Sequence, residues 1–477
     1  MRRDELDGLS REELLELLMR QGEVIGRQQD ELVEREAALE RRDEKIRELE
    51  EELAQFRRPE KTPENSSVPP SRGRKADRVA GRHRKRGPKR GHVGVSRVRG
   101  EPDVMVECRP RACDGCGEAL PRTGGRRVGR SQVIELPSFT PVVIEAWQYA
   151  VTCARCGVPT VGAYPAGVEP RRTFGPGIEA LLGYLHERHH VGYERLVELC
   201  RDVFGLRISQ GGVEHALRRL VERARPTYAA IRETVRGSPV INSDETRARV
   251  DGRTHQQWTF QTPEASYHLI APSRGGEVID AFLDGVEPEV WGSDLYAPQM
   301  LTPAGAHQIC HSHQARDLTF AAEADTGDAR LWAIELRHVF GRAIRLHHER
   351  DQVTPETFAR RRTRIEHATD RLVFDRYVAP KTEAHRLQKR YRTHRDGLYV
   401  FLDREDVEPT NNSSERDLRP SVIHRKVIGG FRSEWGAEAS AIRTSILATA
   451  RKQGQNLFGA FLAIAGPSPL QAIPVPT

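Results

Sequence analysis

The 477-residue chain contains no run of about 18 apolar residues, the length a membrane-crossing helix requires. Its longest candidate, Phe458–Ala465, is too short. Aromatic residues are 6% and hydrophobic residues 37% of the total. That is lean for one continuous globule but too apolar for wholesale disorder, so packed domains joined by polar extensions are expected, about three for this length. Seven cysteines are too few for a disulfide scaffold. The opening MRRDELDGLSREELLELL lacks the apolar core and small-residue cleavage site of a secretory signal. A soluble, cytoplasmic protein is therefore expected. Acids are scarce in one place: Arg57–Gly100 holds 15 Lys or Arg against Glu60, Glu64 and Asp77, a local +12 within a total of +7. One segment makes the protein basic.

Proline is also absent from residues 1–57, where Leu18, Ile25, Leu32, Leu39, Ile46 and Leu53 recur every seventh position. This is the repeat of a coiled-coil seam. The other seam position holds Gln21, Gln28, Arg35, Arg42, Leu49 and Phe56, so the seam is half-filled. Self-association through a weak zipper and a long solvated helix docked on its own protein both fit. Pro59 ends the helix, and residues 58–105 read as a basic flexible linker, without aromatics up to Gly100. Its Arg84, Lys85, Arg86, Lys89 and Arg90 are suited to DNA phosphates through salt-dependent counterion release. A solubilising linker is the plainer reading.

Residues 106–165 carry CDGC and CARC, so Cys113, Cys116, Cys153 and Cys156 are expected to share a structural zinc ion tetrahedrally. The intervening loop exceeds the usual spacing, and strands at Gln132–Leu136 and Val142–Tyr149 would have to form a hairpin that returns the second pair to the first. Residues 170–236 have helical periodicity. Ile178, Leu181, Leu182 and Leu185 share one face, and Leu196, Leu199 and Val203 the next. A break at Phe204-Gly205 and a capping Ser209 lead into a helix bearing Arg218 and Arg219. A DNA-reading helix-turn-helix and an ordinary helical bundle both remain open.

After Pro239 the texture changes to strands at Val240–Asp244, Gln256–Gln261 and Tyr267–Ala271, a helix at Glu277–Leu283, and strands at Glu289–Asp294 and His307–Cys310. Three strands, a helix and further strands fit a mixed sheet of the ribonuclease H-like kind. Asp244 (VINSDET) and Asp294 (VWGSDLY) each end or interrupt an apolar run. A carboxylate there costs free energy unless it is paired or bound to metal. Residues 315–400 read as charge-laced helices without catalytic texture. Beyond them Glu415 stands among Arg416, Arg419, Arg425 and Lys426. A capping box with Asn412 explains it equally well from spacing alone.

The blocks NSSVPPSRGRK, RKRGPKRGHVG, the double CxxC, VINSDET, GSDLYA, CHSHQARDL and NNSSERDLRPSVIHRKVIGGFRS stand in order between about residues 60 and 463. In them the chain resembles a transposase of the insertion sequence 66 family, an Asp-Asp-Glu recombinase. The resemblance implies a multidomain α+β protein: a heptad helix (1–57), the basic linker (58–105), a zinc-ribbon-like module (106–165) and a helical DNA-binding domain (170–236). A ribonuclease H-like core follows (237–314 and 401–463), interrupted by a helical insertion (315–400), with a tail at 464–477. It implies that Asp244, Asp294 and Glu415 form the catalytic triad and hold two Mg2+ or Mn2+ ions. It further implies that Arg416, Arg419, Arg425 and Lys426 meet DNA, that element ends and target are cut and joined, and that accessory transposition proteins assist. His424 departs from the family pattern, where glycine is expected, and the block around Cys310 and His313 is looser. A catalytically inactive zinc-containing regulator of transposase descent is the alternative.

Overall fold

A computed structural model describes residues 10–56, 59–66, 99–136 and 139–469. The basic residues Arg84, Lys85, Arg86, Lys89 and Arg90 lie outside them. The heptad segment is one helix, α1 (Arg11–Phe56). Its seam residues Ile25, Leu32, Leu39 and Ile46 are all more than half exposed. No described helix is long and apolar enough to cross a membrane. The chain divides into two compact units, the first built mainly from residues 229–422 and the second from residues 74–228 with 423–429 and 435–477.

The first unit is organised by a five-stranded sheet. Strands β3 (Val240–Val250), β4 (Arg253–Gln261) and β5 (Ser266–Ala271) form an antiparallel meander. The short β1 (Ala150–Thr152) and β2 (Pro159–Val161) belong to the other unit. After helix α5 (Gly276–Leu283), strands β6 (Val290–Ser293) and β7 (Ala306–Ile309) join in parallel on the other side of β3, giving the order β5-β4-β3-β6-β7. This is the mixed sheet expected of a ribonuclease H-like core. Strand β3 runs six residues beyond its expected end. Asp251-Gly252 both take positive φ (46° and 69°) and link Val250 to Arg253 as a two-residue hairpin.

Side chains alternate across the sheet, and each face has its own cover. Phe260 stacks on Phe282 of α5 (centroids 3.9 Å apart) and lies 6.0 Å from Trp291. Val240, Val290 and Ile309 point the other way, into a layer made by α7 (His311–Ala324), α8 (Gly327–His348), α9 (Pro355–Asp370), α10 (Glu383–Thr393) and α11 (Val400–Asp403). The short α6 (Ala297–Met300) follows β6. The helical insertion is thus core rather than appendage. Trp332, Leu336, Phe340, Leu387, Tyr391 and Phe401 bury completely or nearly so in the same cluster as the sheet residues. Burying such side chains stabilises by roughly 1.5–3 kcal/mol each.

In the second unit, α2 (Pro176–His189), α3 (Tyr193–Phe204) and α4 (Gln210–Arg236, whose last residues fall in the first unit) close around Leu182, Leu196, Cys200, Val213 and Leu217. Gly205 ends α3 in the left-handed conformation (φ 62°), and Ser209 Oγ accepts the Gly212 N–H at 3.1 Å as the cap of α4. The chain returns through α13 (Glu434–Lys452) and α14 (Leu457–Ala465). Buried Glu187 of α2 accepts from Ser440 Oγ (2.8 Å), Arg443 Nε (3.0 Å) and Thr444 Oγ1 (3.0 Å).

The cysteine module departs from expectation. Each CxxC forms its own knuckle: Cys113 N–H donates to Glu118 O and Gly117 N–H to Cys113 O, and the pattern recurs at Cys153, Val158 and Gly157. The hairpin between them does not form. Residues 120–149 contain no strand among those described, and Val133, Ile134, Val142, Val143 and Trp147 are largely exposed. With nothing to pack against, a two-stranded ribbon gains too little burial to persist. The second knuckle is therefore not carried back to the first. Among the described residues no group of three or more His, Cys, Asp or Glu is arranged to hold a metal ion, so they lend the expected four-thiolate zinc site no support.

Acid should destabilise both units in a defined window. Burial holds His186 (then Arg443) and His311 at about 4, below the ordinary 6.5. Burial pushes Glu187 upward, but Arg443, His424 and His186 outweigh it and hold it at about 2, below 4.5. In each case the unfolded chain takes up the proton first, so stability is lost as pH falls. Thermal unfolding should show stability complete above pH 6.5 and declining toward pH 4 through the histidines, then from 4.5 toward 2 through Glu187. Each group contributes on the order of 3 kcal/mol at most.

Candidate active site

Asp244 lies within β3, just past the point where its pairing with β6 ends, and Asp294 directly follows β6. The last parallel pair is Asn242 with Gly292, and both acids stand two residues beyond it along the two neighbouring strand paths. A Cβ at Gly292 would meet the Asn242 side-chain amide, which would have to move aside. Just past Asp294 the chain turns sharply. Leu295 takes φ 79°, and Asp294 Oδ1 accepts the Tyr296 N–H at 3.1 Å. A left-handed leucine is strained backbone of the kind found at functional sites.

Glu415 reaches the same place from far along the chain. It lies in the first turn of α12 (Asn412–Val427), which Asn411 fastens to the sheet. Asn411 Nδ2 donates to Ser243 O at 2.7 Å, its backbone N–H to Cys310 Sγ at 3.1 Å, and its Oδ1 accepts Ser414 Oγ at 2.6 Å. Asn412 is already inside the helix rather than its cap, and the Glu415 side chain faces helix α7. Its Oε1 lies 3.4 Å from Arg316 Nη2 and 3.6 Å from His313 Nε2.

The electrostatics tie the three acids together. Burial and then the charges of Asp294, Glu245 and Glu415 hold the Asp244 carboxyl well above the usual carboxylate range, although the Glu245 N–H donates to it at 2.8 Å. A fourth acid, Glu245, escaped the sequence reading. Burial and Asp294 raise it, against Arg274 (Nε at 2.8 Å) and Gln299 (Nε2 at 2.7 Å), which donate to it. Arg274 in turn lies over the Tyr296 ring at 3.8 Å. The signal for Glu245 was its place beside Asp244 in SDET. Arg316 and His313 were legible as one helical face, three residues apart, yet the insertion was expected to begin at 315 without catalytic texture. Helix α7 starts at His311 and presents both to Glu415.

Cys310, His311 and His313 serve three different purposes. Cys310 takes the Asn411 N–H, His311 is buried with Nε2 on Leu398 O, and His313 turns to Glu415. Arg416 and Arg419 are exposed on α12 within the unit of the acids, whereas Arg425 and Lys426 belong to the second unit. Arg425 is half-buried, and burial holds it below its ordinary value. Arg218 pairs with Glu214 at 2.7 Å and stacks on Trp435 at 3.9 Å; Arg219 donates to buried Glu179 at 2.6 Å.

The three acids suit divalent cations in kind. They are oxygen donors, and Asp244, buried beside other acids, is held above the usual carboxylate range, a charge imbalance a cation relieves. They are not closed around a common point, and Glu415 shows why, since its carboxylate is engaged with α7. Replacing Asn411 by Ala should remove the tie between α12 and β3. Urea unfolding should register a loss of about 1–3 kcal/mol, from a buried carbonyl and hydroxyl left unpaired.

Comparison with known proteins identifies the family. No curated protein matches the chain. The family described as Transposase IS66 family matches residues 171–439, more than half of the chain and a stretch containing Asp244, Asp294 and Glu415. The chain belongs to the IS66 family of transposases.

Proposed function

We propose that this transposase cuts DNA at the ends of an insertion sequence and joins the freed 3′ ends to target DNA, with Asp244, Asp294 and Glu415 as the catalytic acids. The observation that carries the reading is that β3, with Asp244, runs beside β6, which leads into Asp294, while Asn411 ties the start of α12, with Glu415, to Ser243 next to Asp244, across up to 171 positions of sequence. The same three residues would hold divalent cations, Mg2+ or Mn2+, which when bound make water a nucleophile near neutral pH and stabilise the attacking and leaving oxygens. Asp244 and Asp294 would hold such cations from the sheet side and Glu415 from α12, since carboxylates alone repel a phosphodiester. Arg416 and Arg419, exposed beside Glu415, neutralise neighbouring phosphates. The basic linker and the helical domain of residues 170–236 supply further DNA affinity.

Self-association through α1 belongs to the same reading. Ile25, Leu32, Leu39 and Ile46 form an exposed stripe at seven-residue spacing, and a partner α1 would cover it. Pairing two copies brings two active sites to two element ends. Sedimentation of the Leu32→Lys, Leu39→Lys protein should show the dimer reduced to monomer at concentrations where the parent chain pairs. An unchanged dimer would remove α1 from the interface.

Asp244→Asn, Asp294→Asn and Glu415→Gln should each lower strand cleavage and joining in Mg2+ by about a thousandfold or more, with binding of the same DNA kept within about twofold. Cleavage retained in any one of them would take that acid out of the triad. A parent protein that binds element ends and never cuts them would favour the inactive regulator.

A further inference from the structure

Asp244 lies within β3 and Asp294 directly follows β6, whereas Glu415 is held by cationic side chains. Its Oε1 meets Arg316 Nη2 at 3.4 Å and His313 Nε2 at 3.6 Å. Both distances exceed the roughly 2.7–2.9 Å of a tight charge-assisted hydrogen bond, so the grip is loose. Arg316 Nε and His313 Nδ1 are buried without a hydrogen-bond partner. The neighbouring acid of α7, Asp317, is taken by Arg390 at 2.5 Å. The guanidinium therefore has Glu415 as its acid, while Glu415 still acts on Asp244 through its charge. Among the described residues no three donors share a point where a cation could sit.

We propose that Arg316 is a positioning residue that occupies the third catalytic acid while no cation is bound and releases it when a divalent cation takes its place. The inference rests on the cation-dependent reading of the three acids. Arg316 carries a fixed positive charge at any pH the protein survives, so the hold does not depend on its own titration. Its charge competes directly with the cation for Glu415. That competition lowers the site's affinity and keeps the acids from assembling prematurely. The loose contacts let the exchange proceed without unfolding α7.

The test is Mn2+ binding to the full-length, DNA-free protein, read from the electron paramagnetic resonance signal of free Mn2+. Arg316→Gln should bind Mn2+ about tenfold more tightly than the parent chain, the effect of removing one nearby charge from a partly screened site. Arg247→Gln removes an exposed charge about 10 Å along β3 from Asp244 and should change the affinity less than twofold. If circular dichroism shows that Arg316→Gln does not fold, Arg316→Lys, whose shorter stem leaves its charge short of Glu415, should bind more tightly than the parent by a smaller factor. Unchanged or weaker binding in the folded Arg316 variant, or an equal gain in Arg247→Gln, would overturn the inference while leaving the catalytic reading in place. A parent protein with no saturable Mn2+ binding that Asp244→Asn abolishes would overturn the cation reading itself, and the inference with it.

Discussion

Mutual repulsion among carboxylates is the constraint around which the first unit is arranged. Asp244 is buried with Glu245 beside it, and the charges of Asp294, Glu245 and, least, Glu415 add to the penalty that burial places on its negative charge. Left alone, such a cluster would protonate or spread apart. The protein balances it unevenly. Glu245 is paired tightly with Arg274 and Gln299, and Glu415 loosely with Arg316 and His313. Asp244 receives a single backbone N–H and remains far from its ordinary acidity. The deficit is therefore concentrated on the acid at the centre of the sheet, where a cation would relieve it most.

Rigidity elsewhere makes that concentration tolerable. The sheet is clamped between the aromatic face of Phe260, Phe282 and Trp291 and the helical layer around Trp332 and Phe340. The helices between Asp294 and Glu415 do more than fill the gap in sequence. They form one side of the core, deliver His313 and Arg316 at their start, and bring the chain back at Asn411, whose three hydrogen bonds fix α12 to β3 and β7's end. Long separation along the chain and closeness in the site are thus the same structural fact.

The sheet was legible because its signals were local. Apart from the far end of β3, its five strands were located to within three residues, and the repeated Ser-Asp marked the end of β6 but fell within β3. Strand β3 ran long because Glu245, Arg247 and Arg249 read as loop, although Asp251-Gly252 carried the hairpin signal. Ser209 and Gly205 revealed the turn between α3 and α4 through capping chemistry. What was not legible depended on distant partners. No spacing tells that Arg316 meets a glutamate 99 positions away, or that Arg219 serves buried Glu179. The two CxxC knuckles announced themselves through Gly117 and Gly157, both with positive φ. Whether they met depended on a hairpin whose apolar residues found nothing to cover them.

Convergence of the three acids is most directly tested by iron-directed cleavage of the polypeptide. Fe2+ bound in place of the divalent cation, with ascorbate and peroxide, generates radicals that cut the backbone only near the ion. Cuts clustered around residues 244, 294 and 415 together, all suppressed by excess Mg2+, are the result this account predicts. Cuts confined to one of the three segments, or insensitive to Mg2+, would contradict it.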